Sequence, residues 1–149
     1  MLKPDTVQRN LIGEIIGRFE RRGLKFVALK LLRLSDEKAE ELYNPHKGKE
    51  FFGPLVEYVT SGPVLVGVIE GEFCIQLIRK MMGATDPKQA DAGSIRGDFG
   101  IELRRNVIHA SDSEETAKRE IGLFFEAGDM VKYEKSDAEW VYQDYKPKN

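Results

Sequence analysis

The chain has 149 residues, 41% of them hydrophobic and 32% charged, with a formal net charge of −2 and a pI of about 5.8. That length makes one domain whose core needs no disulfide or metal, and the single cysteine, Cys74, excludes an intrachain disulfide or a cysteine zinc cluster. The slightly acidic balance argues against a nucleic-acid binder that relies on overall basic charge. No apolar run nears the roughly 20 residues of a membrane span and no signal peptide is visible, so a cytoplasmic setting is expected.

In chain order, Leu2 reads as part of a first strand, followed by a strand-end turn at Lys3-Pro4-Asp5. Only Met1 and Leu2 precede Lys3, so either further residues precede the recorded chain or this strand is unusually short. Ile12, Ile15, Ile16 and Phe19 recur at helical spacing. Arg21-Arg22-Gly23 close that helix with cations and a glycine. Residues 24–34, rich in Leu, Val and Phe, predict a buried strand. Ser35 and Asp36 open a short helix with Ala39, Leu42 and Tyr43 on one face, and Pro45 stops it.

A second short helix is predicted near 51–59, ended by Thr60-Ser61-Gly62-Pro63, and Val64 to Glu70 predicts another strand. Phe73, Leu77, Ile78, Met81 and Met82 form a helical stripe ending at Gly83. Residues 84–100 have no period of 2 or 3.6. Loops this long in compact domains are usually functional, so an ordered functional loop carrying Thr85 and Arg96 is expected. Ile101 to Ile108 predicts a strand, irregular at Arg104 and Arg105. Asp112-Ser113-Glu114-Glu115 has capping-box spacing, and Ala117, Ile121, Phe124 and Phe125 continue as an amphipathic helix. Residues 130–149 are mostly polar but carry Tyr133, Trp140, Tyr142 and Tyr145.

The order β-α-β-α-α-β-α-β-α predicts an α/β (α+β) domain of the ferredoxin-like split βαβ type, a four-stranded antiparallel sheet covered by helices. A doubly wound parallel sheet is the alternative, but the Gly-rich βα turn of dinucleotide sites is missing.

The segment Arg105 to Ser113 places His109, one of only two histidines, between an apolar run and a helix start, with Glu120 inside the helix that follows. A neutral imidazole is nucleophilic near pH 7, and Glu120 lies within reach to orient it. No P-loop and no protein-kinase glycine loop exists, so phosphoryl chemistry here would draw on scattered cations: Lys3, Arg79, Arg96 and Arg105. Taken singly, each of these residues reads as an ordinary packed or solvated side chain. So do Cys74, His46 and the Phe51-Phe52 pair.

Together the blocks Lys3-Pro4-Asp5, Gly13 to Glu20, Tyr43 with His46-Lys47-Gly48-Lys49 and Phe51-Phe52, Thr60 to Pro63, Met82 to Thr85, Ile95 to Phe99 and Asn106 to Ser113 resemble the nucleoside diphosphate kinase family over essentially the whole chain. Ala110 and Arg104 stand where many members carry Gly and a small residue. The resemblance implies γ-phosphoryl transfer from ATP to nucleoside diphosphates, by a ping-pong route in which His109 is transiently phosphorylated. Glu120 and Ser111 would orient the ring. Lys3, Tyr43, Arg79, Thr85 and Arg96 would bind phosphates, Asn106 with Lys3 the sugar hydroxyls, and Phe51 with Leu103 the base. Mg²⁺ would enter on the nucleotide, with no protein side-chain ligands. The resemblance also implies a homo-oligomer, hexamer rather than tetramer, with 84–105 a functional loop at a subunit contact and 130–149 a docking tail. A non-catalytic nucleotide-binding or scaffolding protein on the same fold is the alternative; a membrane or a specific nucleic acid is not an expected partner.

Overall fold

A computed structural model describes residues 1–143; Tyr145 and the rest of the tail's end lie outside the described residues. The helices are α1 Pro4–Gln8, α2 Ile12–Arg21, α3 Asp36–Leu42, α4 Phe52–Thr60, α5 Cys74–Met82, α6 Ile95–Phe99, α7 Glu114–Phe124 and α8 Ala138–Val141, and the strands are β1 Lys25–Arg33 and β2 Pro63–Glu70.

The strands pair antiparallel from Lys25↔Glu70 to Arg33↔Pro63, with an irregularity between Phe26 and Ala28. Beyond β2 the sheet continues by single bridges: Leu2 pairs with Leu65 on one side and Ile108 on the other. Two expected strands therefore shrink to bridge residues. At Leu2 the chain turns at once into α1, which carries Pro at its first turn, a position where the missing N–H costs nothing. The expected strand Ile101–Ile108 is instead an exposed turn closed by the Glu102–Arg105 bridge. Val107, at φ +60°, breaks the extended course before Ile108 rejoins the sheet.

The 84–100 segment is not all loop, because it holds a 3-10 turn at Pro87–Gln89 and the helix α6. Five residues are too few to show a helical period. The sign of α6 is its cap, since Ser94 accepts from Gly97 N at 3.1 Å. Helix α7 is likewise capped by Ser113, accepting from Thr116 N at 3.1 Å, one residue later than the Asp112 box implied. Phe73, expected in the α5 stripe, precedes that helix at φ +52° and is 78% exposed. Helix α2 ends as expected: Gly23 N donates to Glu20 O and Leu24 N to Phe19 O, a Schellman closure with glycine at φ +90°.

The sheet separates two cores. Leu42, Val59, Val64, Val66 and Phe125 belong to one, and Ile15, Phe19, Leu24, Met82, Ile95 and Ile108 to the other. Successive β2 residues point to opposite faces, so Val64 and Val66 serve the first and Leu65 and Ile69 the second. Residues 127–142 run back along β1 of the same chain: Val131 N bonds Val27 O and the Tyr133 hydroxyl bonds Phe26 O. Trp140 stands exposed.

Candidate active site

His109 is held at both ends. Its backbone N donates to Met1 O at 2.9 Å, fixing the segment against the start of the chain. Its ring Nε2 lies 2.9 Å from Glu120 Oε2. A carboxylate can only accept, so this nitrogen carries the proton and Nδ1 keeps the lone pair. Ser111 Oγ donates to the same carboxylate oxygen at 2.8 Å. The His109 side chain is 22% exposed. Burial holds its pKa below the ordinary imidazole value, opposed by the Glu120 hydrogen bond and charge, so the neutral, nucleophilic form prevails at pH 7. Burial works to raise the Glu120 carboxyl, but bonds from His109 and Ser111 outweigh it and keep the group below the usual carboxylate range.

A second cluster is built on Asn106. Lys3 Nζ donates to Asn106 Oδ1 at 2.6 Å, and Asn106 Nδ2 donates to Thr85 O at 2.8 Å. Arg96 spans three carbonyls: Nε to Asn106 O at 3.2 Å, Nη1 to Gly83 O at 3.2 Å and Nη2 to Ile108 O at 2.7 Å. Burial first, then the Arg96 charge, lowers the Lys3 pKa to about 8. Burial first, then the Arg79 charge, lowers that of Arg96 to about 10. Three cations thus share one electrostatic field, an arrangement suited to a polyanion.

Aromatic rings form the remaining wall. Tyr43 meets the His109 ring edge-on at 5.5 Å and stacks with His46 at 6.3 Å; His46 meets Phe51 at 5.4 Å. Phe51 is 45% exposed, open to a stacking partner. The Tyr43 hydroxyl is buried with no hydrogen-bond partner among the described residues, and burial, then the Glu120 charge, raises its pKa.

The structure therefore brings Lys3, Thr85, Arg96 and Asn106 into one bonded cluster, and His109, Ser111 and Glu120 into another. Tyr43 and Phe51 form the wall. Arg79, on α5, joins through its field at Arg96 and Asp112. Leu103 is exposed in the Glu102–Arg105 turn. Sequence reasoning missed the Gly83 and Ile108 carbonyls, which backbone chemistry hides from any motif. His46, which taken singly reads as an ordinary side chain, packs between the Tyr43 and Phe51 rings. His109, Ser111 and Glu120 further border an apolar cavity of about 350 Å³. Lys3, Arg79, Thr85 and Arg96 do not line that cavity.

Fold and site define an α+β nucleotide-binding transferase. The family profile described as nucleoside diphosphate kinase matches residues 1–146, and the chain belongs to that family. A nucleoside diphosphate kinase of Methanothermobacter thermautotrophicus is 56% identical over 144 residues, covering 97% of this chain and 96% of the relative. That of Saccharolobus solfataricus is 59% identical over 130 residues, covering 87% and 94%. The solved halophilic enzyme from Halobacterium salinarum, in complex with CDP, superposes with a TM-score of 0.92 at 45% identity, covering 95% of this chain and 94% of that one. The activity is that of a nucleoside diphosphate kinase, and a non-catalytic role on the same fold is not favoured.

Proposed function

We propose that His109 Nδ1 attacks the γ-phosphorus of ATP. The P–N bond forms as the bond to the β-bridging oxygen breaks, and ADP leaves. A terminal oxygen of a second nucleoside diphosphate then takes the phosphoryl group from nitrogen, regenerating the neutral ring. One anhydride replaces another, so a single site and covalent intermediate suffice. The observation that carries this reading is the Ser111–Glu120–His109 chain, in which the carboxylate accepts from both groups, so the ring's proton stays on Nε2 and Nδ1 is left as the free nucleophile. Lys3, Arg79 and Arg96 stabilise charge on the transferring group. Tyr43 and Thr85 contact phosphates, Asn106 and Lys3 the sugar, and Phe51 the base, flanked by Leu103.

Among the described residues no group of three or more His, Cys, Asp or Glu side chains gathers to hold a metal, and the phosphate side is cationic. Mg²⁺ would enter on the nucleotide's own oxygens, where it would neutralise phosphate charge. We further propose one domain that acts as a cytoplasmic homo-oligomer, a hexamer, with 84–105 at a subunit contact and 130–149 as a docking tail, and with the Leu2 and Ile108 segments as the third and fourth strands of a four-stranded sheet, Leu2 between β2 and Ile108. Among the described residues no helix is long and apolar enough to cross a membrane.

Incubation with γ-labelled ATP and Mg²⁺, without acceptor, should label one histidine in acid-labile, base-stable form. A His109→Ala protein should carry no label and turn over nothing while still binding nucleotide. Label persisting on that variant would sink the assignment.

A further inference from the structure

The chain makes one conformational demand at the centre of the site that none of the roles above explains. Val107, fully buried, adopts φ +60°, and Ile108 N donates to Asn106 O across it at 2.7 Å. An i to i+2 bond around a residue at positive φ is the rare, strained form of γ-turn, and a β-branched residue is badly suited to it. Such a conformation persists only where its surroundings over-determine it.

Those surroundings come from α1 and α4. Val107 N donates to Asp5 Oδ2 at 3.2 Å. Val107 O accepts from Thr6 Oγ1 at 2.6 Å and from Lys3 N at 2.9 Å. The Tyr58 hydroxyl holds the other oxygen of Asp5, and burial, then that carboxylate, raises the Tyr58 pKa. Asp5 is itself buried. The residues either side of Val107 are the ones that serve the chemistry. Asn106 contacts Lys3 and Thr85. The Asn106 and Ile108 carbonyls both bind Arg96, and His109 follows.

The geometry points to Asp5 as a positioning residue: its carboxylate, braced by Tyr58, holds the Val107 γ-turn and so aims Asn106, Arg96 and His109 at one point. Asp5 touches no substrate and moves no proton. An extended Val107 would rotate both flanking carbonyls away from Arg96 and shift the imidazole, and displacements near 1 Å can cost about 100-fold in rate. Arg79, Tyr43 and Phe51 do not hang on the turn, so ground-state nucleotide binding depends on it less than turnover does. The inference rests on the phosphohistidine reading above.

The test is kcat and KM in phosphoryl exchange between ATP and a nucleoside diphosphate, on the full chain, well below each variant's melting temperature. Asp5→Ala should lower kcat about tenfold or more and raise KM by a clearly smaller factor, since Arg79, Tyr43 and Phe51 stay in place while Asn106 and Arg96 shift. Asp5→Asn should recover most of the loss, since its amide oxygen can still accept from Val107 N and its NH₂ can donate to Tyr58. Val107→Gly in the Asp5→Ala background should recover part of it, because glycine adopts φ > 0 freely. Tyr58→Phe, which leaves the carboxylate in place, should lower kcat several-fold and decides the matter if Asp5→Ala does not fold. An Asp5→Ala or Tyr58→Phe enzyme at the unmodified rate overturns the proposal, as does a loss that neither Asn nor the glycine lessens. An unmodified chain that exchanges no phosphate overturns the functional reading and the proposal with it.

Discussion

At the scale of residues, the site sets two titrations against each other. The buried Lys3 ammonium titrates near pH 8 rather than 10.5. Between those values the unfolded chain binds the proton that the folded one has lost, so the Lys3 contribution to stability improves as pH rises through that window. On the role proposed for Lys3, phosphate capture runs the other way, because it needs the ammonium. The expected profile of kcat/KM, which reports the free enzyme, falls above about pH 8. Lys3→Arg should remove that limb while lowering the plateau. On the acid side, the limb reports His109, which lies below the ordinary imidazole value. Glu120 pulls that value upward, so Glu120→Gln should move the acid limb to lower pH and cut kcat by about 10- to 100-fold. A limb that stays put or moves up would show that Glu120 does not set the ring's protonation.

At the scale of elements, α6 shows how much a short helix can depend on one position. A Cβ added to Gly97 would lie 2.0 Å from the Asp91 carbonyl, so Gly97→Ala must displace backbone, not a flexible side chain. We expect a loss of several kcal/mol in stability together with weaker nucleotide binding, because Arg96 sits on the same turn. Ser113→Ala, which removes only the α7 cap, should cost about 1 kcal/mol and leave nucleotide KM close to its starting value; thermal melts and initial rates check both. The same elements explain what could be read from sequence. Long amphipathic helices such as α2 and α7 announce themselves by period, and the runs that became β1 and β2 by composition. Helices α1 and α6 have five residues each, too few for a period. The 101–108 segment reads as extended because its apolar residues suit a strand, whereas it turns at Glu102–Arg105 and Val107 is held by Asp5 and Thr6, about 100 residues away. His109, Glu120 and Arg96 were legible through their motif company; Tyr58 and the Gly83 carbonyl carry no local signal.

At the scale of the molecule, the active site is assembled from the two ends of the fold. Lys3 meets Asn106 and Met1 meets His109, contacts that exist only when the sheet is complete. Activity should therefore be lost in one transition with helical circular dichroism under denaturant, with no inactive helical intermediate. Sedimentation at micromolar concentration should return a hexamer, and a stable monomer would remove the roles given to 84–105 and to the tail.

One more contact bears on how the enzyme is prepared for its reaction. Arg119 reaches the Glu41 and Leu42 carbonyls at 3.1 and 3.3 Å and lies 3.4 Å from the second oxygen of Glu120. Both oxygens of that carboxylate are thus engaged before any nucleotide arrives. Ordering a free glutamate side chain costs entropy, on the order of 1.5–2 kcal/mol. Here that cost is met on folding, when helices α3 and α7 come together, and on the proposed route the phosphoryl group would meet an imidazole whose support is already ordered.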